Sequence, residues 1–255
     1  MTLKTISVDL SPRRIATVLL NRPDRGNAFD QTMLDEVASQ LARLAADDRA
    51  RVVVLRGSGR HFCTGADLVS RADGDAATGP HATLPDVLAA LDGLPKPTVA
   101  VVHGGAVGGG TAFAACCDIV IATDAAFFSI PEVRVGMAPL GVAPFLIRAM
   151  GHRGFRRYAL SGERISPAVA LRLGLAHEVC DTAQIDETLA HVTDELLHGA
   201  PGAMRELKQA SDRYSAPSLA SLLADKPAPH GPRSAEAQEG IASFREKRKP
   251  NWYPH

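Results

Sequence analysis

The sequence has no surplus of either charge: 28 Lys and Arg balance 28 Asp and Glu, a formal net charge of zero. Proteins that hold nucleic acid or an anionic membrane by general electrostatics carry a basic excess or patch, so neither partner is expected. Cysteine is sparse. Cys63, Cys116, Cys117 and Cys180 form no C-x-x-C pair and no Cys/His ligand spacing, and the adjacent Cys116 and Cys117 are poorly placed to bridge each other. A disulfide scaffold and a structural zinc module are therefore excluded, and a reduced, cytoplasmic protein is expected. No apolar run approaches the roughly 20 residues that span a bilayer. The first ten residues, MTLKTISVDL, alternate apolar and polar positions and lack a secretory core. What remains is ordinary globular composition, 45% hydrophobic and 22% charged over 255 residues, enough for one large domain with or without an appendage.

Periodicity divides the chain into alternating strands and helices. Ile6, Val8 and Leu10 alternate on one arm of an expected hairpin and Ile15, Thr17 and Leu19 on the other, with Ser11-Pro12 at the turn. Leu34, Val37, Leu41 and Leu44 follow at helical spacing, with Asp30 able to cap the helix. Arg51–Gly57 and Thr98–Val102 read as buried strands, DIVIAT and AHEVC as two more, and Leu84–Leu91 as a short helix. From Pro144 the pattern is helical. Ile185, Leu189, Val192 and Leu196 share one helical face. The polar stretch Arg71–His81 reads as a surface loop, and Lys226–Pro232 breaks the helical C-terminus. These alternations predict an α/β fold, with residues 1–195 as the core and 196–255 as a helical appendage.

Three segments carry candidate chemistry. The glycine cluster Gly104–Gly110 lies between a strand and a helix, where backbone N–H groups suit an anion or a developing oxyanion. No Lys follows Gly110 and Phe113 replaces the last glycine of G-x-G-x-x-G, so neither nucleotide fingerprint fits, and a plain packing turn is the alternative. In His61–Leu68, Gly65 and Ala66 are small enough for a ligand to approach the backbone, while His61 and Cys63 are a weaker candidate pair. Third, Glu132 is a lone carboxylate among Phe127, Phe128, Ile130, Val133 and Val135. Desolvation would raise its pKa toward that of a general base, unless Arg134 pairs with it.

Taken in order, these motifs resemble the crotonase (enoyl-CoA hydratase/isomerase) superfamily along nearly the whole chain. NRPDRGNAF (Asn21–Phe29) is similar to the family's N-R-P-x-x-x-N-A-[FL], and HFCTGADL to its F-[CS]-x-G-x-D-[LI] loop. PKPTVAVVHGGAVGGG, PEVRVG and FREKRKPNW (Phe244–Trp252) match three further stretches. The resemblance implies a spiral of ββα units with a helical C-terminal region that builds homotrimers, often paired as hexamers. It implies an acyl-CoA thioester as substrate and no separate cofactor or metal. Residue by residue, it places the oxyanion donors at the backbone N–H groups of Ala66 and Gly109 and the catalytic carboxylate at Glu132. Coenzyme A would lie against Ala28, Ala66, Asp67 and Leu68, its phosphates near Arg22 or Arg25, with Phe244 and Lys247 reaching over from a neighbouring subunit.

The departures narrow the chemistry. Typical hydratases carry a first glutamate two residues beyond the glycine triplet, where this chain has Ala112, and only the second, Glu132, is retained. Leu140, eight residues beyond Glu132, counts against the dienoyl-CoA isomerase and hydroxyisobutyryl-CoA hydrolase branches. The segment from Met137 onward is more similar to bacterial hydratases of branched, carboxylated enoyl-CoAs, such as the methylglutaconyl-CoA type. The expected activity is hydration of a branched or unusual 2-enoyl-CoA. The alternatives are a Δ3,Δ2-enoyl-CoA isomerase and a non-catalytic acyl-CoA binder.

Overall fold

A computed structural model describes residues 3–68, 81–214 and 235–248. The expected hairpin is present: β1 (Ile6–Leu10) and β2 (Ile15–Leu20) pair antiparallel, with Ile6 opposite Leu20. Helix α1 (Gln31–Ala46) starts where Asp30 accepts a hydrogen bond from the Met33 N–H at 2.9 Å, which satisfies one of the donors a helix start leaves open. Strands β3 (Val52–Gly57) and β4 (Thr98–Val102) add in parallel, and helix α2 (Leu84–Asp92) lies between them in sequence, opened by a capping box at Thr83 and Asp86.

The glycine cluster is more ordered than a turn. It contains a short strand, β5 (Gly105–Val107), and helix α3 (Gly109–Ala115) begins inside the triplet rather than after it. Next come β6 (Ile119–Thr123), β7 (Phe127–Ser129), α4 (Ala143–Ser161), β8 (Arg164–Ile165), α5 (Pro167–Leu173), β9 (Glu178–Cys180) and α6 (Ile185–His198). Helix α4 is bent at Gly151, whose φ of 72° is outside the helical region. Helices α7 (Pro201–Tyr214) and α8 (Ala235–Arg245) belong to the expected appendage, and the boundary expected at residue 195 lies within α6. The expected break at Lys226–Pro232 and, except for His81, the expected loop at 71–81 lie outside the described residues.

A six-stranded sheet runs β1-β2-β3-β4-β6-β9, and a three-stranded sheet runs β5-β7-β8. The central parallel strands β3, β4 and β6 are buried on both faces, which explains their continuous apolar runs. Val53, Leu55, Ala100, Val102, Val120 and Ala122 face one core together with α1, α2 and α3. The alternate residues Val52, Val54, Val99, Val101 and Ile121 face a second core, packed against Val192, Ile185, Leu189 and Leu196 of α6. Among the described residues no helix is long and apolar enough to cross a membrane.

Candidate active site

Parallel pairing sets the position of the carboxylate. Strands β5 and β7 run side by side, with Val107 opposite Ser129, so the segments after both leave the same end of the small sheet. One segment is the glycine triplet. The other is a 3-10 turn, Glu132–Val135, closed by Gly136 in the left-handed region. They are tied by the Gly108 N–H, which donates to the Ser129 carbonyl at 2.8 Å, and by the buried Thr111 hydroxyl, 2.7 Å from the Ala106 carbonyl and 2.9 Å from that of Ser129. Gly108 has φ +55°, and a Cβ there would stand 2.6 Å from Glu132 Oε1. Glycine therefore does two things at 108: it permits the backbone bend and makes room for the carboxylate.

Glu132 itself is largely desolvated. Its Oε2 is buried and has no hydrogen-bond partner among the described residues. Burial pushes the carboxyl up to about 7. Pairing with Arg134 does not occur, because that guanidinium turns away to the Ser161 carbonyl, 3.0 Å from Nη2.

The Ala66 loop reaches the same place by a second parallel contact. Phe29 bridges Ala66: its N–H donates to the Gly65 carbonyl and its carbonyl accepts from the Asp67 N–H, both at 2.9 Å. In a parallel bridge the flanking residues make the bonds, so the N–H of Ala66 points away from Phe29. A Cβ on Gly65 would stand 2.9 Å from the Val107 carbonyl and 3.9 Å from the Gly109 nitrogen, so this loop abuts the glycine turn. The Gly109 N–H belongs to the first turn of α3, where the helix supplies no internal acceptor. On the side where a Cβ would stand, the buried Gly109 packs against the ring of Phe29 (2.7 Å from a built Cβ) and Leu84 Cδ2 (3.0 Å). Two donor loops, an apolar wall and a buried carboxylate thus meet.

Other candidates have different places. His61 and Cys63 are not a reactive pair. His61 Nδ1 accepts the Gly105 N–H at 2.9 Å, and the fully buried Cys63 thiol is pushed up to about 12 by desolvation. Arg22 is already engaged: its Nη1 donates to the Ala28 carbonyl, and its Nη2 lies 2.9 Å from Asp67 Oδ2 and 3.3 Å from Asp30 Oδ2. Ala28 is buried, Arg25 is exposed, and Leu68 is half-buried at the end of the described loop. Ala112, where the first glutamate of typical hydratases would stand, is buried in the apolar core. Helix α8 is seated on the Glu132–Val135 turn of its own chain, so closely that a Cβ at Gly240 would fall 2.2 Å from the Val135 carbonyl carbon. Phe244 near its end is 63% exposed, and Lys247 just beyond is exposed in the left-handed region. Sequence reasoning included Gly108 in the glycine cluster but missed its place beside Glu132, and it missed Thr111 and Leu84; these roles depend on partners elsewhere along the chain. Among the described residues no cluster of His, Cys, Asp or Glu could hold a metal.

The model of the enoyl-CoA hydratase/isomerase family matches residues 11–254. The chain belongs to that family. It is 32% identical over 243 residues to the 2,3-dehydroadipyl-CoA hydratase of Escherichia coli K12, covering 94% of this chain and 95% of that one. It is 33% identical over 258 residues to a probable enoyl-CoA hydratase of Mycobacterium bovis, with 99% of each covered. Among solved structures, an enoyl-CoA hydratase/isomerase from Pseudoalteromonas atlantica superposes with a TM-score of 0.89 at 26% identity, covering 98% of this chain and all of that one. The fold is therefore the crotonase α/β fold, and the chain is an enzyme of the hydratase/isomerase family.

Proposed function

We propose that this family member hydrates a 2-enoyl-CoA, with the Ala66 and Gly109 N–H groups holding the thioester oxygen and Glu132 as the only proton carrier. The observation that carries this reading is the Glu132 carboxylate lying beside Gly108, with one oxygen unpartnered among the described residues and its pKa raised to about 7. In its ionised form Glu132 takes a proton from water as the oxygen of that water bonds to Cβ. The electron pair of the double bond moves toward the thioester, and negative charge collects on its oxygen between the two donors. Glu132 then returns its proton to Cα. The balance is one water added and the carboxylate restored. Loss of one oxyanion donor typically lowers such a rate by about 10²–10³.

The substitution of Ala112 for the first glutamate of typical hydratases supports a branched or otherwise unusual acyl group rather than a small linear one. The same lone carboxylate also favours a second reading, Δ3,Δ2-isomerisation, which needs one base to move one proton between carbons. Arg25, the Ala66–Leu68 backbone, Phe244 and Lys247 are proposed to contact coenzyme A, in a homotrimer or hexamer that uses no other cofactor. Crotonyl-CoA, branched 2-enoyl-CoAs and 3-enoyl-CoAs should be compared by loss of enoyl absorbance and by product analysis. Hydration of a 2-enoyl-CoA is expected. Conversion of 3-enoyl-CoA alone would select the isomerase, and binding without turnover across the panel would contradict both.

A further inference from the structure

We infer that Arg22 and Asp67 form a clasp that positions the Ala66 donor, and that Arg22 is not a coenzyme phosphate ligand. The inference rests on the proposed oxyanion role of Ala66. The guanidinium lies across two segments that are already laddered. Its Nη1 donates to the Ala28 carbonyl on one side, and its Nη2 donates to Asp67 Oδ2 at 2.9 Å on the other. Between those anchors lie the two backbone bonds by which Phe29 holds Gly65 and Asp67, the residues on either side of Ala66. Rotation of the Ala66 peptide thus requires breaking a buried ladder and a charge-assisted bond together. The planar fork suits this, because two fixed donor directions are used at once.

Burial and charge both argue against a phosphate here. Asp67 is 7% exposed and Arg22 17%, so the pair is largely withdrawn from solvent. A second carboxylate, Asp30, faces the same Nη2 at 3.3 Å while capping α1 through the Met33 N–H. A phosphate approaching Arg22 would meet two carboxylates and would have to displace one. The Arg22 N–H is itself bonded to Asn27 Oδ1 at 2.9 Å, and the Asn27 amide donates to the Ser58 and His61 carbonyls, which fixes the base of the arginine.

The test uses full-length Arg22→Lys, Asp67→Asn and the double variant. Lysine keeps the charge but loses the fork, and asparagine keeps the size but loses the charge. Each single variant is expected to lower kcat by about 10²-fold, the scale of a small misplacement of a reacting group. Affinity for free coenzyme A should stay within two-fold, and the double variant should be no worse than the poorer single. A second readout is the infrared carbonyl band of bound butyryl-CoA, a saturated thioester that cannot turn over. The wild type should shift it to lower frequency, and both single variants should reduce that shift while still binding. A ten-fold loss of coenzyme A affinity with kcat retained would overturn the clasp, as would an undiminished carbonyl shift in both variants. A wild type that produces no shift would instead contradict the oxyanion reading itself.

Discussion

The two ends of the proposed site are held in different ways. Around Ala66, Gly109 and Glu132, backbone hydrogen bonds and short strands lock the segments together, and the glycines sit where any side chain would strike a neighbour. At the other end, Phe244 lies on, and Lys247 just beyond, a helix seated on the Val135 backbone at Gly240, and both are exposed. The chemistry is thus organised by the folded core before any substrate arrives. The contacts proposed between coenzyme A and the C-terminal arm would still have to be ordered, and ordering long side chains opposes binding. Damage to the first end should appear in kcat, and damage to the second in KM.

The largest effect is expected from Glu132→Gln, which keeps size and removes basicity. Turnover should fall by about 10²–10⁴, the range of general acid–base assistance, with thioester affinity changed only a few-fold. Steady-state kinetics with direct binding measurements check this. Gly108→Ala comes next. Its methyl group would stand 2.6 Å from Glu132 Oε1 at a φ that side chains rarely adopt, so kcat should fall about 10²-fold through displacement of the base.

The same carboxylate predicts a stability effect. Its folded pKa is raised from 4.5 to about 7, so between those values the folded state binds the proton more tightly. That contribution is complete below about pH 4.5 and is lost as pH rises through 7, so stability falls across this window. By removing the ionisable group, Glu132→Gln should be more stable than wild type above pH 7, by at most on the order of 3 kcal/mol. Thermal denaturation of both proteins at pH 5 and pH 8 would show whether the difference grows with pH. The smallest effect is expected at the coenzyme end. Truncation after Ser243 should raise KM for the thioester a few-fold, or weaken the proposed trimer in light scattering, with kcat of the intact assembly kept.

Legibility in the sequence follows the same division between local and distant causes. The hairpin, α1 with its Asp30 cap and the apolar face of α6 were readable because each pattern repeats within its own element. Strands β5 and β8 were not, since Gly105–Val107 and Arg164–Ile165 are too short for periodicity and are strands only by virtue of what they pair with. In the site, Glu132 was visible as a carboxylate among apolar residues. Gly108 was visible as part of the glycine cluster, but its place beside that carboxylate was not, because Glu132 is 24 residues further along the chain. Arg22 could be assigned a charge but not a partner. Asp67, 45 residues away, takes the guanidinium expected for phosphate.

The pH dependence of kcat/KM for enoyl-CoA hydration tests the central claim most directly, that a desolvated Glu132 acts as the sole base. Activity should rise ten-fold per pH unit and level off above a midpoint near 7, the value to which burial pushes this carboxyl. His61 does not offer that midpoint, since its environment lowers its pKa from 6.5. A profile that is flat through this range, or one that levels off near the ordinary glutamate value of 4.5, would contradict the account.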